Sequence, residues 1–264
     1  MTTLAQMTLD VASYLARPYR GTATGGSTTT VVDSALNEPN DYFTGGTIWL
    51  LSGNNAGKST AITTWNNTTK TFTFAAMSLA NAAGNRYAAA NQDYPRWLLI
   101  DAVNQALKAI GDLPKYDTSL TTVADQEEYT IPSGIGIPYA VEIALYTSAP
   151  YVFIPHYNWR VVNGKIVFAP GAQPDETGYT MRITYQSAHA ELVADTDTLD
   201  QLVHPERVKW RAVEYALRWM LSKRGTDDRD ITPLLAEAAA KATAADLMHP
   251  IVRAQLQPKF PYWG

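Results

Sequence analysis

The residues with the most obvious chemical promise are Ser52-Gly-Asn-Asn-Ala-Gly57-Lys58-Ser59. A glycine-rich loop ending in Lys-Ser can wrap nucleotide phosphates, provided that a helix N-terminus follows to receive them. That chemistry requires the spacing Gly-x-x-x-x-Gly-Lys-Ser/Thr. Here three residues separate Gly53 from Gly57, and Ser52 stands where the first glycine belongs. The following run, Thr60-Ala-Ile-Thr-Thr-Trp65, has the alternation of a strand and no helix signal. The loop is read as a β-turn with an exposed Lys58, and an NTPase is rejected. His156, His189, His204 and His249 show no metal-ligand spacing; no His-Glu-x-x-His occurs, and no Gly-x-Ser-x-Gly offers a serine nucleophile. The absence of cysteine removes disulfides, thiolate metal sites and thiol nucleophiles together.

Acidic clusters lie at Asp125–Glu128, Asp195–Asp200 and Asp227–Asp230. Paired carboxylates can hydrolyse glycosides. Each cluster flanks the end of an expected helix or strand, however, and reads as a solvated loop. Asp195-Thr-Asp197 lacks the glycine and distal Glu of a calcium loop. No catalytic, cofactor or metal residue is assigned, and the chain is read as non-enzymatic.

Two features point to association instead. Arg207, Lys209, Arg211 and Arg218 make one stretch locally basic. Arg207, Arg211 and Arg218 are candidates for a face that meets an acidic neighbouring subunit. The C-terminal Pro258, Phe260, Pro261, Tyr262 and Trp263 concentrate aromatics where no helix could bury them. Exposed aromatics invite association, so the tail either folds back on its own domain or docks on a partner, where Tyr and Trp are typical anchors.

The elements that must carry these features alternate in type. Residues 3–16 read as an amphipathic helix with Leu4, Met7, Val11 and Leu15 on one face. A Thr-, Gly- and Asn-rich region follows, with strand patterns at Thr28–Val32, Thr47–Leu51, Ser59–Trp65, Lys70–Phe74 and near Tyr87. Pro95 and Gly111 bracket a helix with Leu99, Val103, Ala106 and Ile110 as its apolar stripe. Strands return at Glu128–Ile131, Ala140–Tyr146, Tyr151–Phe153, Trp159–Val162, Lys165–Phe168 and Tyr179–Tyr185; Asn163-Gly164 marks a tight hairpin. His204-Pro205 and Thr232-Pro233 open two further helices, the second with an Ala-rich stretch suited to close packing.

The expected fold class is α+β: a central α-helical bundle with two inserted small antiparallel β modules, barrel- or sandwich-like, and an extended C-terminal tail. The expected parts are the N-terminal bundle helix 1–20, a β module 21–92, the central helix 93–114, a second β module 115–190, bundle helices 191–249 and the tail 250–264. Hydrophobic residues make up 46% of the 264, charged residues 17%, and the net charge is −4. Charged residues in ordinary globular proteins are about 25%. An acidic chain of low charge does not grip nucleic acid through many phosphate contacts. The first residues lack a secretory pattern, and no apolar run reaches the length of a membrane span. The expected compartment is a cytosol, or a particle assembled there.

Beyond composition, the runs Gly21–Leu36 and Gly45–Ser59 resemble a β module of tailed-phage neck proteins. Tyr94-Pro-Arg-Trp through Leu113-Pro114 is similar to the central helix of head-to-tail adaptors, as are Glu128–Pro132, Trp159–Phe168 and Met181–Tyr185 in their series. The resemblance implies a virion structural protein in the neck: a ring of self-associated copies, usually twelve, attached to the portal protein. The ring extends the DNA channel without sequence-specific binding and gives a platform to a tail, tail-completion or nozzle protein. It implies that residues 250–264 dock on the portal or a neighbouring subunit, with no cofactor and no membrane. An alternative from the residues alone is a receptor- or glycan-binding virion protein that uses Trp49, Trp65 or Trp159 as surface platforms.

Overall fold

A computed structural model describes residues 1–224 and 230–251. In chain order the elements are α1 (Leu4–Leu15), β1 (Tyr19–Thr22), β2 (Gly25–Gly26), β3 (Thr30–Val32), β4 (Thr47–Leu50), β5 (Lys58–Asn66), β6 (Thr71–Phe74), β7 (Arg86–Ala90) and α2 (Arg96–Ile110). After them come β8 (Leu113–Thr121), β9 (Glu128–Thr130), β10 (Pro138–Ala144), β11 (Phe153–His156), β12 (Trp159–Val162), β13 (Lys165–Phe168), β14 (Thr180–Ser187), α3 (Pro205–Arg224) and α4 (Ile231–Met248). The architecture is mixed α+β, with four helices and three antiparallel sheets among the described residues. Two compact units result: Met1–Ile110 with Ala190–Pro250, and Gly111–His189.

In the first unit, a seven-stranded sheet runs in the order β1-β7-β4-β5-β6-β3-β2. One face closes over Phe43, Ile48, Leu50, Ile62, Trp65, Phe72 and Tyr87, all nearly solvent-free. Trp65 and Phe72 lie with ring centroids 4.5 Å apart, and Phe43 meets Trp65 edge-on at 5.7 Å. Beneath them, buried Asp33 accepts from the Tyr87 hydroxyl at 2.6 Å and from the Ala35 backbone N–H at 2.9 Å. Burial, and then the bond to Asp33, push the Tyr87 phenol far above its ordinary pKa. Because strand side chains alternate, Thr47 and Trp49 on β4 and their register partners Ala61 and Ser59 on β5 turn to the other face.

That second face of the sheet meets the helices. Trp49 donates from Nε1 to Thr8 Oγ1 of α1 at 3.1 Å, and Thr47 Oγ1 donates to the Tyr94 carbonyl at 3.0 Å. Thr3 caps α1 through its hydroxyl, which accepts from Gln6 N. At the other end Tyr94 Oη donates to the Leu15 carbonyl. Buried Leu98, Leu99, Ala102, Val103, Ala106 and Ile110 confirm the stripe expected of α2, although the helix starts at Arg96, just after Pro95. The Pro95 carbonyl accepts from Leu98 N, which places the proline at the helix boundary. α3 packs against α1, α2 and α4. In α4, Ala238, Ala242 and Ala245 are buried at three-to-four spacing, where small side chains let the backbones approach.

In the second unit, a four-stranded sheet β11-β10-β14-β8 and a three-stranded sheet β12-β13-β9 share a core of Tyr129, Val141, Trp159, Ile166, Phe168, Met181 and Ile183. The β12–β13 hairpin has the register Val162↔Lys165, and Asn163 and Gly164 both have positive φ, 48° and 72°. Those values are the type I′ geometry that Asn-Gly favours. Glu142 and Arg182, paired across β10 and β14, form an ion pair at 2.6 Å, and the guanidinium lies 4.2 Å from the Phe153 ring centroid.

Four departures from the sequence reading have physical causes. β1 and β2 lie where the sequence marks no strand; each pairs with one neighbour only, at the sheet margins. β8 contains Pro114 and weak alternation, yet it is the edge strand beside β14, where a missing N–H is tolerated. β11 begins at Phe153 rather than Tyr151. Trp49, Trp65 and Trp159 are 1%, 1% and 7% exposed, so these rings are core, not sugar platforms.

Candidate assembly interface

The loop at Ser52–Ser59 is closed upon itself. Asn55 is fully buried and donates to the Leu79 carbonyl at 2.7 Å and to Asn81 Oδ1 at 3.0 Å. Lys58 Nζ donates to Asn55 Oδ1 and Ser78 Oγ, so the lysine is half-buried and tethered rather than exposed. Gly53 and Gly57 take φ of 81° and 77°, and β5 follows directly. The chain leaves the loop into a strand, not into a helix.

The acidic segment after residue 190 is where expectation fails most clearly. Asp195 is not a solvated loop residue. Its carboxylate accepts from Ser59 N at 2.8 Å, Ser59 Oγ at 2.7 Å and Arg96 Nη2 at 3.0 Å. One side chain therefore ties the segment to β5 and to the first turn of α2. Around it, the Asp195 and Asp197 carbonyls accept from Ala5 N and Leu4 N, two of the amides that α1 leaves unpaired at its start. Asp197 Oδ2 accepts from Val193 N and Ala194 N, and these backbone bonds hold its carboxyl below the ordinary Asp value. Buried Asn104 of α2 pairs with Leu192 in both directions, at 2.9 and 3.0 Å. Residues 191–198 thus strap α1, α2 and β5 together. The only sequence signal was a polar Asn104 inside an apolar stripe.

The basic stretch of α3 divides in two. Arg207 Nε donates to Asp246 Oδ1 of α4 at 2.8 Å and Nη1 donates to the His249 carbonyl at 3.2 Å; Arg211 donates to the other Asp246 oxygen. Burial works to raise the Asp246 carboxyl, but the two arginines outweigh it and hold it below its usual range. Arg218 is different: it bonds Glu214 one turn away at 2.6 Å, and its side chain is 66% exposed. Lys241 lies 4.4 Å from the Trp210 ring centroid, and Trp210 meets Tyr14 of α1 edge-on at 5.0 Å. His204 Nδ1 accepts from Glu206 N and caps α3, while its ring stacks on His249 at 3.5 Å. Asp227 and its neighbours to residue 229 lie outside the described residues, as do Pro258, Phe260, Pro261, Tyr262 and Trp263.

Apolar side chains also remain open to solvent near the start of α2 and on the strap. Trp97 of α2 is 57% exposed and touches Trp219 of α3 edge-on at 5.3 Å; Val193 of the strap is 70% exposed. Among the described residues no group of three or more His, Asp or Glu is placed to hold a metal ion, and no helix is long and apolar enough to cross a membrane.

Packed helices with internally satisfied charges, two β cores and exposed aromatics are the makings of a protein that acts through its surfaces. The chain belongs to the SU10 adaptor protein family, whose model matches residues 74–258, a family of phage head-to-tail adaptors. The match runs from the last residue of β6 through α2, the whole second unit, α3 and α4; α1 and β1–β5 precede it. No curated protein matches the chain.

Proposed function

We propose that this chain is one copy of a virion adaptor ring that attaches to the portal, extends the DNA channel and offers the platform on which the tail is completed. Family membership over α2, the second unit, α3 and α4 is the observation that carries this reading. The helices form the body of the ring, and the two β modules are excursions from it, directed outward or tailward. The ring holds about twelve copies, as in the adaptors that the sequence resembles. Its role is positional and non-enzymatic. A net charge of −4 suits a channel through which DNA slides without being held. Arg218, exposed and paired with Glu214 on its own helix, contributes to the subunit contact; Arg207 and Arg211 serve it indirectly by fixing α4.

Residues 250–264 are the docking segment in this reading, with Phe260, Tyr262 and Trp263 as anchors. A chain ending at Pro250 should keep its circular dichroism and melting profile and fail to complete portal-bearing heads into infectious particles. Normal particle yield with the shortened chain refutes the docking role.

A further inference from the structure

A groove of about 630 Å³ lies in the first unit, between the start of α2 and the strap. Trp97, Ile100 and Val193 give it an apolar lining. Most of the Trp97 ring and of Val193 faces water, an arrangement that a folded chain disfavours unless something covers them. Arg96 in the wall is neutralised by Asp195, so Asp101 and Glu191 leave the groove acidic. The volume falls in the range of about 300–1,000 Å³ that accommodates a ligand or a few inserted side chains.

The sequence after Pro250, Ile-Val-Arg-Ala-Gln-Leu-Gln-Pro-Lys-Phe-Pro-Tyr-Trp-Gly264, complements this surface. It has Arg253 and Lys259 and no acidic side chain, and it ends in three aromatics. The point at which the chain leaves α4 also matters. The His249 carbonyl is held by Arg207, in the first turn of α3. Trp219, which touches Trp97, is twelve residues further along the same helix. At about 1.5 Å per residue the exit and the groove are roughly 18 Å apart along α3. Two complementary surfaces displaced along one protomer are what a head-to-tail, ring-closing contact uses.

We propose that the groove at Trp97, Ile100 and Val193 receives the C-terminal aromatic segment of the adjacent copy, with Asp101 and Glu191 facing its Lys259 and Arg253. The inference rests on the ring reading above and specifies what holds each copy to the next. The tail then closes the ring laterally, instead of acting on the portal alone.

The chain has no cysteine, which makes the test direct. Full-length protein carrying Val193→Cys and Gly264→Cys is assembled on portal-bearing heads, treated with a short bis-maleimide and run on a denaturing gel. A ladder of covalent multimers is expected, with neither single variant progressing beyond a dimer. Adding Trp97→Ala, at an exposed position, should reduce the ladder about tenfold or more, as loss of an aromatic anchor does. Linked product confined to the monomer places the tail on its own groove and overturns the proposal. Rings that form normally without any linkage overturn the groove while sparing the ring. If no ring forms with the unmodified chain, both fall.

Discussion

Replacing Trp49 by alanine is expected to cost about 3–5 kcal/mol, the usual penalty for emptying a fully buried aromatic site. Trp49 is 1% exposed, and its indole donates to Thr8, so it lies where the seven-stranded sheet meets α1. The packing term should dominate. Thr8 keeps its own bond to the Ala5 carbonyl, so the variant leaves no hydroxyl stranded. Trp49→Phe separates the two contributions: it retains most of the ring and loses the hydrogen bond, and should cost only about 1–2 kcal/mol. For a chain of this size the alanine variant should melt on the order of 10 °C lower. Equal melting temperatures for the alanine and wild-type chains would remove the β4–α1 contact from any role in holding the sheet to the helices.

The second large effect is expected at Asp195. Alanine there strips the acceptor from Ser59 N, Ser59 Oγ and the Arg96 guanidinium at once. Hydrogen bonds to a charged group contribute about 1.5–3 kcal/mol, and an orphaned buried charge adds to the loss. Arg96 and Asp195 are 28% and 15% exposed, so water relieves part of that penalty. A loss of about 2–3 kcal/mol follows, with Asp195→Asn losing roughly half as much because its amide oxygen still accepts. The signature is local: the amides of Leu4, Ala5 and Ser59 should exchange much faster in deuterated water, because all three bond to the strap. Unchanged protection at these amides is the result that contradicts the strap.

The contrast between these two sites shows what was legible in the sequence. Trp49 sits in the continuous apolar run Ile48-Trp-Leu-Leu51, the pattern of a strand covered on both faces, and its burial follows once a helix lies on the second face. The same local rules placed α2, the β12–β13 hairpin with its Asn-Gly turn, and Pro205 at the start of α3, since a few neighbouring residues decide each of them, whereas α4 starts at Ile231, two residues before Pro233. Asp195 could not be found in that way. Its partners are 136 and 99 residues distant, and nothing in an acidic loop distinguishes a carboxylate facing water from one receiving a serine and an arginine. β8 was hidden for the converse reason, because an edge position forgives a proline that local rules penalise. Arg207 and Arg211 read as one basic face with Arg218 until α4 supplied Asp246. The absence of a catalytic spacing and the weight of aromatics near residue 260 were visible from the start, and these features pointed to assembly.

The central claim is that copies of this chain form a ring at the portal. Portal-bearing heads incubated with the purified protein and imaged in negative stain test it most directly. An added ring of density with a central hole, coaxial with the portal, is the predicted result. Heads that remain unchanged, with the protein left beside them as single copies, contradict it.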